Sequence, residues 1–138
     1  MLATDLGPAS AAATDHAIEI TSRLEARLLV TSVVGPEGQK RDGPGRRIDQ
    51  VRAGLEAGVQ SIVQRARAAG TVATFLVWEG DPGEAIVNAA EAEDVDLIVV
   101  GSHGRGPVER FLLGSVSDFV VRHAGCPVLV VRTHATDR

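Results

Sequence analysis

Tyrosine is absent, three Phe and one Trp make up the whole aromatic complement, and cysteine occurs once. A lone Cys126 cannot close an internal disulfide and leaves no multi-cysteine spacing for zinc, so nothing calls for an oxidising compartment and a reducing cytoplasm is the expected location. No uninterrupted apolar run exceeds four residues, as at 97–100, and Asp5 stands where an export signal needs an apolar stretch. A membrane span and a secretory leader are therefore both unexpected. Basic residues number 14 against 18 acidic, a formal charge of −4. With no basic block among them, duplex DNA or RNA is not the expected partner.

What is present suffices to fold. At 138 residues, 44% hydrophobic and 23% charged, the chain reads as one domain, 1–138, able to bury roughly two-thirds of its unfolded surface around a single core. Five apolar runs alternate with helical patterns. Met1 to Asp5 opens a first strand. Ala13, Ala17, Ile20 and Leu24 recur at helical spacing, with Pro8 suited to the first turn. The β-branched run 28–34 breaks at Gly35-Pro36, and 35–47, rich in Gly, Pro and charge, reads as a flexible surface loop carrying the pairs Lys40-Arg41 and Arg46-Arg47. Val51, Leu55, Val59, Ile62, Val63 and Ala66 mark an amphipathic helix over 48–69.

A third strand is expected over 72–78. Asp81 follows as N-cap, Pro82 as first helical residue and Glu84 as capping-box partner of a helix through Ile86, Val87 and Ala90. The runs 96–101 and 126–131 show no alternation, as strands covered on both faces do. Strands alternating with helices, joined by right-handed crossovers, imply an α/β fold with a parallel sheet and helices on both faces. Ligands of such sheets bind beyond the carboxyl ends of the strands where strand order reverses, here between the first and fourth strands, where Asp5 and Gly101 emerge.

The segment richest in chemistry runs from Val100 through Gly101, Ser102, His103, Gly104, Arg105 and Gly106 to Gly114, Ser115, Val116 and Ser117. Its spacing is Gly, two residues, Gly, nine residues, Gly, then a hydroxyl residue. A shuffled chain of this composition would contain that spacing only about 0.02 times. Glycines without Cβ let backbone N–H groups close on an anion, and Gly114-Ser115 is placed to open a helix whose free amides and positive dipole end attract phosphate. Local chemistry alone leaves a phosphate site and a purely structural tight turn both open.

This pattern and its surroundings resemble the universal stress protein family. The resemblance covers nearly the whole chain: Ala3-Thr4-Asp5, Gly80-Asp81-Pro82, 95–104, Leu113-Gly114-Ser115-Val116 and 126–131. It implies a five-stranded Rossmann-like sandwich of the adenine-nucleotide α-hydrolase-like type with strand order 3-2-1-4-5, paired as homodimers. It further implies the ATP-binding branch, which keeps the glycine motif found here. On that resemblance Gly101, Ser102, His103 and Gly104 line the ribose and phosphate path. Gly114, Ser115, Val116 and Ser117 hold the phosphates, Ala3, Thr4 and Asp5 flank the adenosine, and adenine packs on Val33. Three departures stand out: a first strand short enough to fray or to have been trimmed; Leu6-Gly7-Pro8 where a Ser or Thr cap is commoner, which weakens the first helix cap by up to ~1 kcal/mol; and Arg105-Gly106-Pro107, where Arg105 could place a cation near the phosphates.

Other residues carry competing readings. Asp5 can contact ribose or base, hold Mg²⁺ opposite the phosphates, or cap the following helix; a ligand contact is favoured. His103 reads as loop-fixing or ligand-contacting, because no nucleophile or orienting carboxylate lies in sequence reach. Cys126 reads as a small apolar residue and Trp78 as a packing residue. The last strand, Val128–Val131, is expected at a sheet edge where antiparallel pairing with a second copy would cover it. The expected function is a homodimeric, ATP-responsive stress or signalling module, with ATP, ADP or AMP as ligand and no dedicated catalysis. Slow Mg²⁺-dependent ATP hydrolysis or phosphoryl transfer, and a scaffold that binds no nucleotide, are the rival readings.

Overall fold

In the computed structural model, which describes residues 1–36, 46–102 and 113–132, the strands are β1 (Leu2–Ala3), β2 (Leu28–Val34), β3 (Ala73–Glu79), β4 (Ile98–Gly101) and β5 (Val128–Val131). The helices are α1 (Ala11–Leu24), α2 (Arg46–Ala68), α3 (Pro82–Ala92) and α4 (Ser115–His123), with a 3-10 turn, Pro8–Ser10, leading into α1. All strand pairs are parallel and the order is β3-β2-β1-β4-β5, as the resemblance implied.

The unbroken apolar runs have a direct explanation, since successive residues of a strand supply opposite faces. Leu2, Val30 and Val99 join Ala13 and Ala17 of α1 and Val59, Ile62, Val63 and Ala66 of α2 in one buried cluster. Met1, Ala3, Ile98 and Val100 join Ile86, Ala89 and Ala90 of α3 and Val120 of α4 in the other. Helices α1 and α2 thus cover one face, and α3 and α4 the opposite one.

Local signals set the element ends. Asp81 accepts from the Glu84 amide at 3.1 Å and caps α3 as expected. Helix α2 begins at Arg46, so Arg46 and Arg47 belong to helix and not to loop, while Lys40-Arg41 lie outside the described residues. The buried face of α1 is Ala13, Thr14, Ala17 and Thr21, whereas Leu24 is 71% exposed. A strict step of three and four carries Leu24 past the sheet. Thr14 and Thr21 take the inner positions because their hydroxyls bond back to the carbonyls of Ser10 and Ala17, which lets a polar side chain be buried within a helix. Strand β1 has only two residues yet is held from both sides. Leu2 pairs with Val30 and Val99, the Met1 carbonyl accepts from Val99 N at 2.8 Å, and the Met1 amine donates to the Leu97 carbonyl at 2.7 Å. Burial lowers the pKa of that amine.

Candidate functional site

The carboxyl ends of β1 and β4 are neighbours, and the residues following each strand are tied together by hydroxyls. Thr4 continues the β1 ladder, its N–H donating to the Thr31 carbonyl at 3.0 Å and its carbonyl accepting from the Ser32 hydroxyl at 2.7 Å. Its own Oγ1 accepts from Leu6 N and lies 2.9 Å from Ser10 Oγ. The Asp5 carboxylate, exposed to solvent, accepts from Gly7 N at 2.8 Å, and its same oxygen lies 3.2 Å from Ser10 Oγ. That is an Asx turn. Ser10 is buried and its hydroxyl also reaches the Gly7 carbonyl at 2.9 Å. The Ser10 proton has the Asp5 carboxylate and the Gly7 carbonyl as acceptors, while the contact with Thr4 Oγ1 can run in either direction, so Ser10 can switch its bond without moving its backbone.

Leu6 fixes this turn from the other side. Its φ of 65° lies in the left-handed region that a branched residue adopts at a cost. The side chain fits where α2 has Gly58, since a Cβ there would overlap Leu6 Cδ1. Gly101 is needed in the same way: a Cβ would stand 3.1 Å from the Ala9 carbonyl, so the 3-10 turn rests directly on the end of β4.

The glycine motif closes onto this point. Ser102 donates its N–H to the Val131 carbonyl at 2.9 Å, and its carbonyl accepts from Gly114 N at 2.8 Å. Ser117, buried, donates its hydroxyl to the Gly101 carbonyl. Gly114 is the N-cap of α4 and supplies no side-chain cap. Among the described residues, none accepts from the amides of Ser115, Val116 and Ser117. Those uncapped donors at the helix start, beside the ends of β1 and β4, form an anion-accepting corner.

Of the residues singled out from sequence, Thr4, Asp5, Gly101, Ser102, Gly114, Ser115, Val116 and Ser117 come together here. Ala3 and Val100 are buried within the α3/α4 face, and Val33 packs against that face beside Trp78, its register partner on β3. His103, Gly104 and Arg105 lie outside the described residues. Ser10, Leu6 and Gly58 were not singled out. Ser10 sits where a helix cap is sought, but nothing local shows a hydroxyl turned toward a preceding strand.

The comparisons with known proteins agree with this architecture. Residues 1–132 match the Universal stress protein family. The universal stress protein MJ0531 of Methanocaldococcus jannaschii is 34% identical over 137 residues, covering 96% of this chain and 80% of its own length. The solved structure of protein MJ0577 of the same organism superimposes with a TM-score of 0.87 at 26% identity, covering 98% of this chain and 96% of that one. A universal stress protein solved in complex with cAMP gives a TM-score of 0.72 at 29% identity, covering 95% and 93%. The chain is an α/β protein of the Rossmann-like kind, with the ends of β1 and β4 side by side at its topological switch point. It belongs to the universal stress protein family.

Proposed function

We propose that this protein binds an adenine nucleotide, ATP foremost, at the corner between β1, β4 and α4, and that it works as a homodimer whose conformation or choice of partner follows nucleotide level in the stress response of the cytoplasm. The observation that carries the reading is the uncapped start of α4 pinned beside Gly101 and Ser102. Among the described residues nothing accepts from the amides of Ser115, Val116 and Ser117, and with the positive helix end they suit a phosphate chain. The cAMP complex of a relative at 29% identity supports an adenine nucleotide as the ligand class. Asp5 keeps one carboxylate oxygen outside the turn it caps, available to a ribose hydroxyl or to Mg²⁺ carried by the phosphates. Among the described residues no nucleophile paired with a base stands at the corner, and the role proposed is binding. Pairing through β5, whose side chains are only half covered at Val128, Leu129 and Val130, would complete the sheet edge.

The test is release and rebinding. Purified protein is denatured and its supernatant examined by mass spectrometry, and stripped protein is titrated with ATP, ADP and AMP by calorimetry. Near-stoichiometric nucleotide or saturable binding is expected. A stripped, folded protein that shows no heat with any of the three overturns the reading. Multiple-turnover phosphate release would make the protein an ATPase instead.

A further inference from the structure

The two borders of the sheet are finished differently. Along β3, the even residues turn their main chain toward β2: the Val72 carbonyl accepts from Leu28 N, the Leu76 carbonyl from the Thr31 hydroxyl, and Gly80 N donates to the Val34 carbonyl. The main-chain groups of Ala73, Phe75, Val77 and Glu79 consequently point outward, toward any strand that would add to this border. Two of those four carbonyls are already taken. Arg67 donates to the Ala73 carbonyl through Nε at 3.2 Å and Nη2 at 2.9 Å, and Arg52 donates to the Val77 carbonyl through Nη1 at 3.0 Å. Both arginines belong to α2, and the second nitrogen of Arg52 is held by Glu79 at the end of the same strand, with Glu56 3.7 Å away.

The opposite border carries no such bonds among the described residues. The Pro127 and Val131 carbonyls accept from Ile98 N and Ser102 N, which leaves the main chain of Val128 and Val130 facing out. Among the described residues, no side chain bonds to either.

We propose that Arg52 and Arg67 close the β3 border to strand addition, so that association between copies of this chain is confined to β5. An incoming strand needs the carbonyls of Ala73 and Val77 as acceptors for its own N–H groups. Each neutral backbone bond it formed there would replace a charge-assisted one and strip water from a guanidinium. The hydrogen bond and charge of Glu79 also hold the Arg52 pKa above its ordinary value. The β5 half of the statement rests on the dimer proposed above; the β3 half rests on the arginines alone.

The full chain and its Arg52→Ala/Arg67→Ala variant are compared by light scattering coupled to size exclusion over a wide concentration range, with circular dichroism confirming the fold. The variant is expected to at least double the wild-type mass in concentrated solution, and adding Thr74→Lys, a charge at an exposed position of β3, should restore the wild-type mass. A folded double variant with wild-type mass at every concentration overturns the proposal. Should loss of both arginines unfold the chain, Thr74→Cys in a Cys126→Ser background decides instead. Oxidative cross-linking between copies is expected only when Arg67→Ala is added, and equal cross-linking with and without Arg67 refutes the closure. A wild-type protein that is monomeric throughout removes the β5 dimer while the arginine comparison still decides the β3 border.

Discussion

Two buried polar atoms among the described residues, Thr71 Oγ1 and Trp78 Nε1, have no partner. Burying a hydroxyl without an acceptor costs about 1–3 kcal/mol, whereas a methyl of the same shape costs nothing there. Thr71→Val, which leaves the bond from Thr71 N to the Ala66 carbonyl intact, should therefore raise stability by ~1 kcal/mol. A higher urea midpoint at unchanged slope is the expected reading, and a lower midpoint would mean that the hydroxyl has found a partner in solution. Gly58 sets two effects against each other. Alanine in a helix interior is favoured over glycine by ~1 kcal/mol, but its Cβ would overlap Leu6 Cδ1, and overpacking costs about 1–3 kcal/mol. The overlapping atom is the far end of a half-buried leucine that can turn about its side-chain bonds, so the overlap offsets the helical gain without far exceeding it, and Gly58→Ala should change stability by no more than ~1 kcal/mol. Adding Leu6→Gly removes the overlap, so the helical gain should emerge as a non-additivity in the double-mutant cycle. This contact was not legible in the sequence: it joins a left-handed residue to a glycine on another element, and neither residue carries a pattern of its own.

Elements whose signals are local were legible, and those defined by their neighbours were not. The run 28–34 coincides with β2, and the Asp81 cap, Pro82 start and apolar spacing of α3 all stand as read. Strand β3 is shifted by one residue, with Val72 68% exposed, because periodicity fixes a strand's existence better than its ends. Leu24 shares the helical spacing of Ala13 and Ala17 yet is exposed, because such spacing says which residues share a side but not where the sheet stops. Helix α3 supports a sharper prediction, as two of its residues act by different means. Asp81→Ala removes one cap bond and should cost ~1 kcal/mol. Gly83→Ala places a Cβ 2.7 Å from Cδ1 and 2.8 Å from Cγ of the Phe119 ring, where α3 and α4 touch. A ring cannot compress, so the helices must part, and the loss should exceed that of the cap, about 2–3 kcal/mol. Phe119→Leu should reduce the penalty of Gly83→Ala in chemical denaturation. If Gly83→Ala costs less than Asp81→Ala, the helices are not in close contact at that point.

At the scale of the whole molecule, the alternation of elements implied the parallel sheet and the family resemblance implied its strand order, both present in the structure, while the way the ends of β1 and β4 are joined is written in neither. The glycine spacing marked Gly101, Gly114 and the start of α4. It was silent on Ser10, which joins β1 to the 3-10 turn through Thr4, because that link exists only once the two strand ends are side by side. The proposed ligand acts on the same scale, since whatever binds the native state alone stabilises it by mass action. ATP at one hundred times its dissociation constant contributes about 2.7 kcal/mol, which for a chain of 138 residues corresponds to a rise in melting temperature of about 8 °C. Gly114→Val should abolish that rise. Its φ of −63° and ψ of 158° suit valine, so the backbone need not change, but a branched side chain would stand where phosphate approaches the amides of 115–117. Valine is a poorer N-cap than glycine and can lower the melting temperature of the unliganded protein by an amount worth ~1 kcal/mol. The informative quantity is thus the difference between melting temperatures with and without Mg-ATP, taken for each protein separately. A variant that melts lower yet keeps the full ligand-induced rise would place the nucleotide away from α4, and a wild type with no rise at saturating ATP would leave that corner without its proposed ligand.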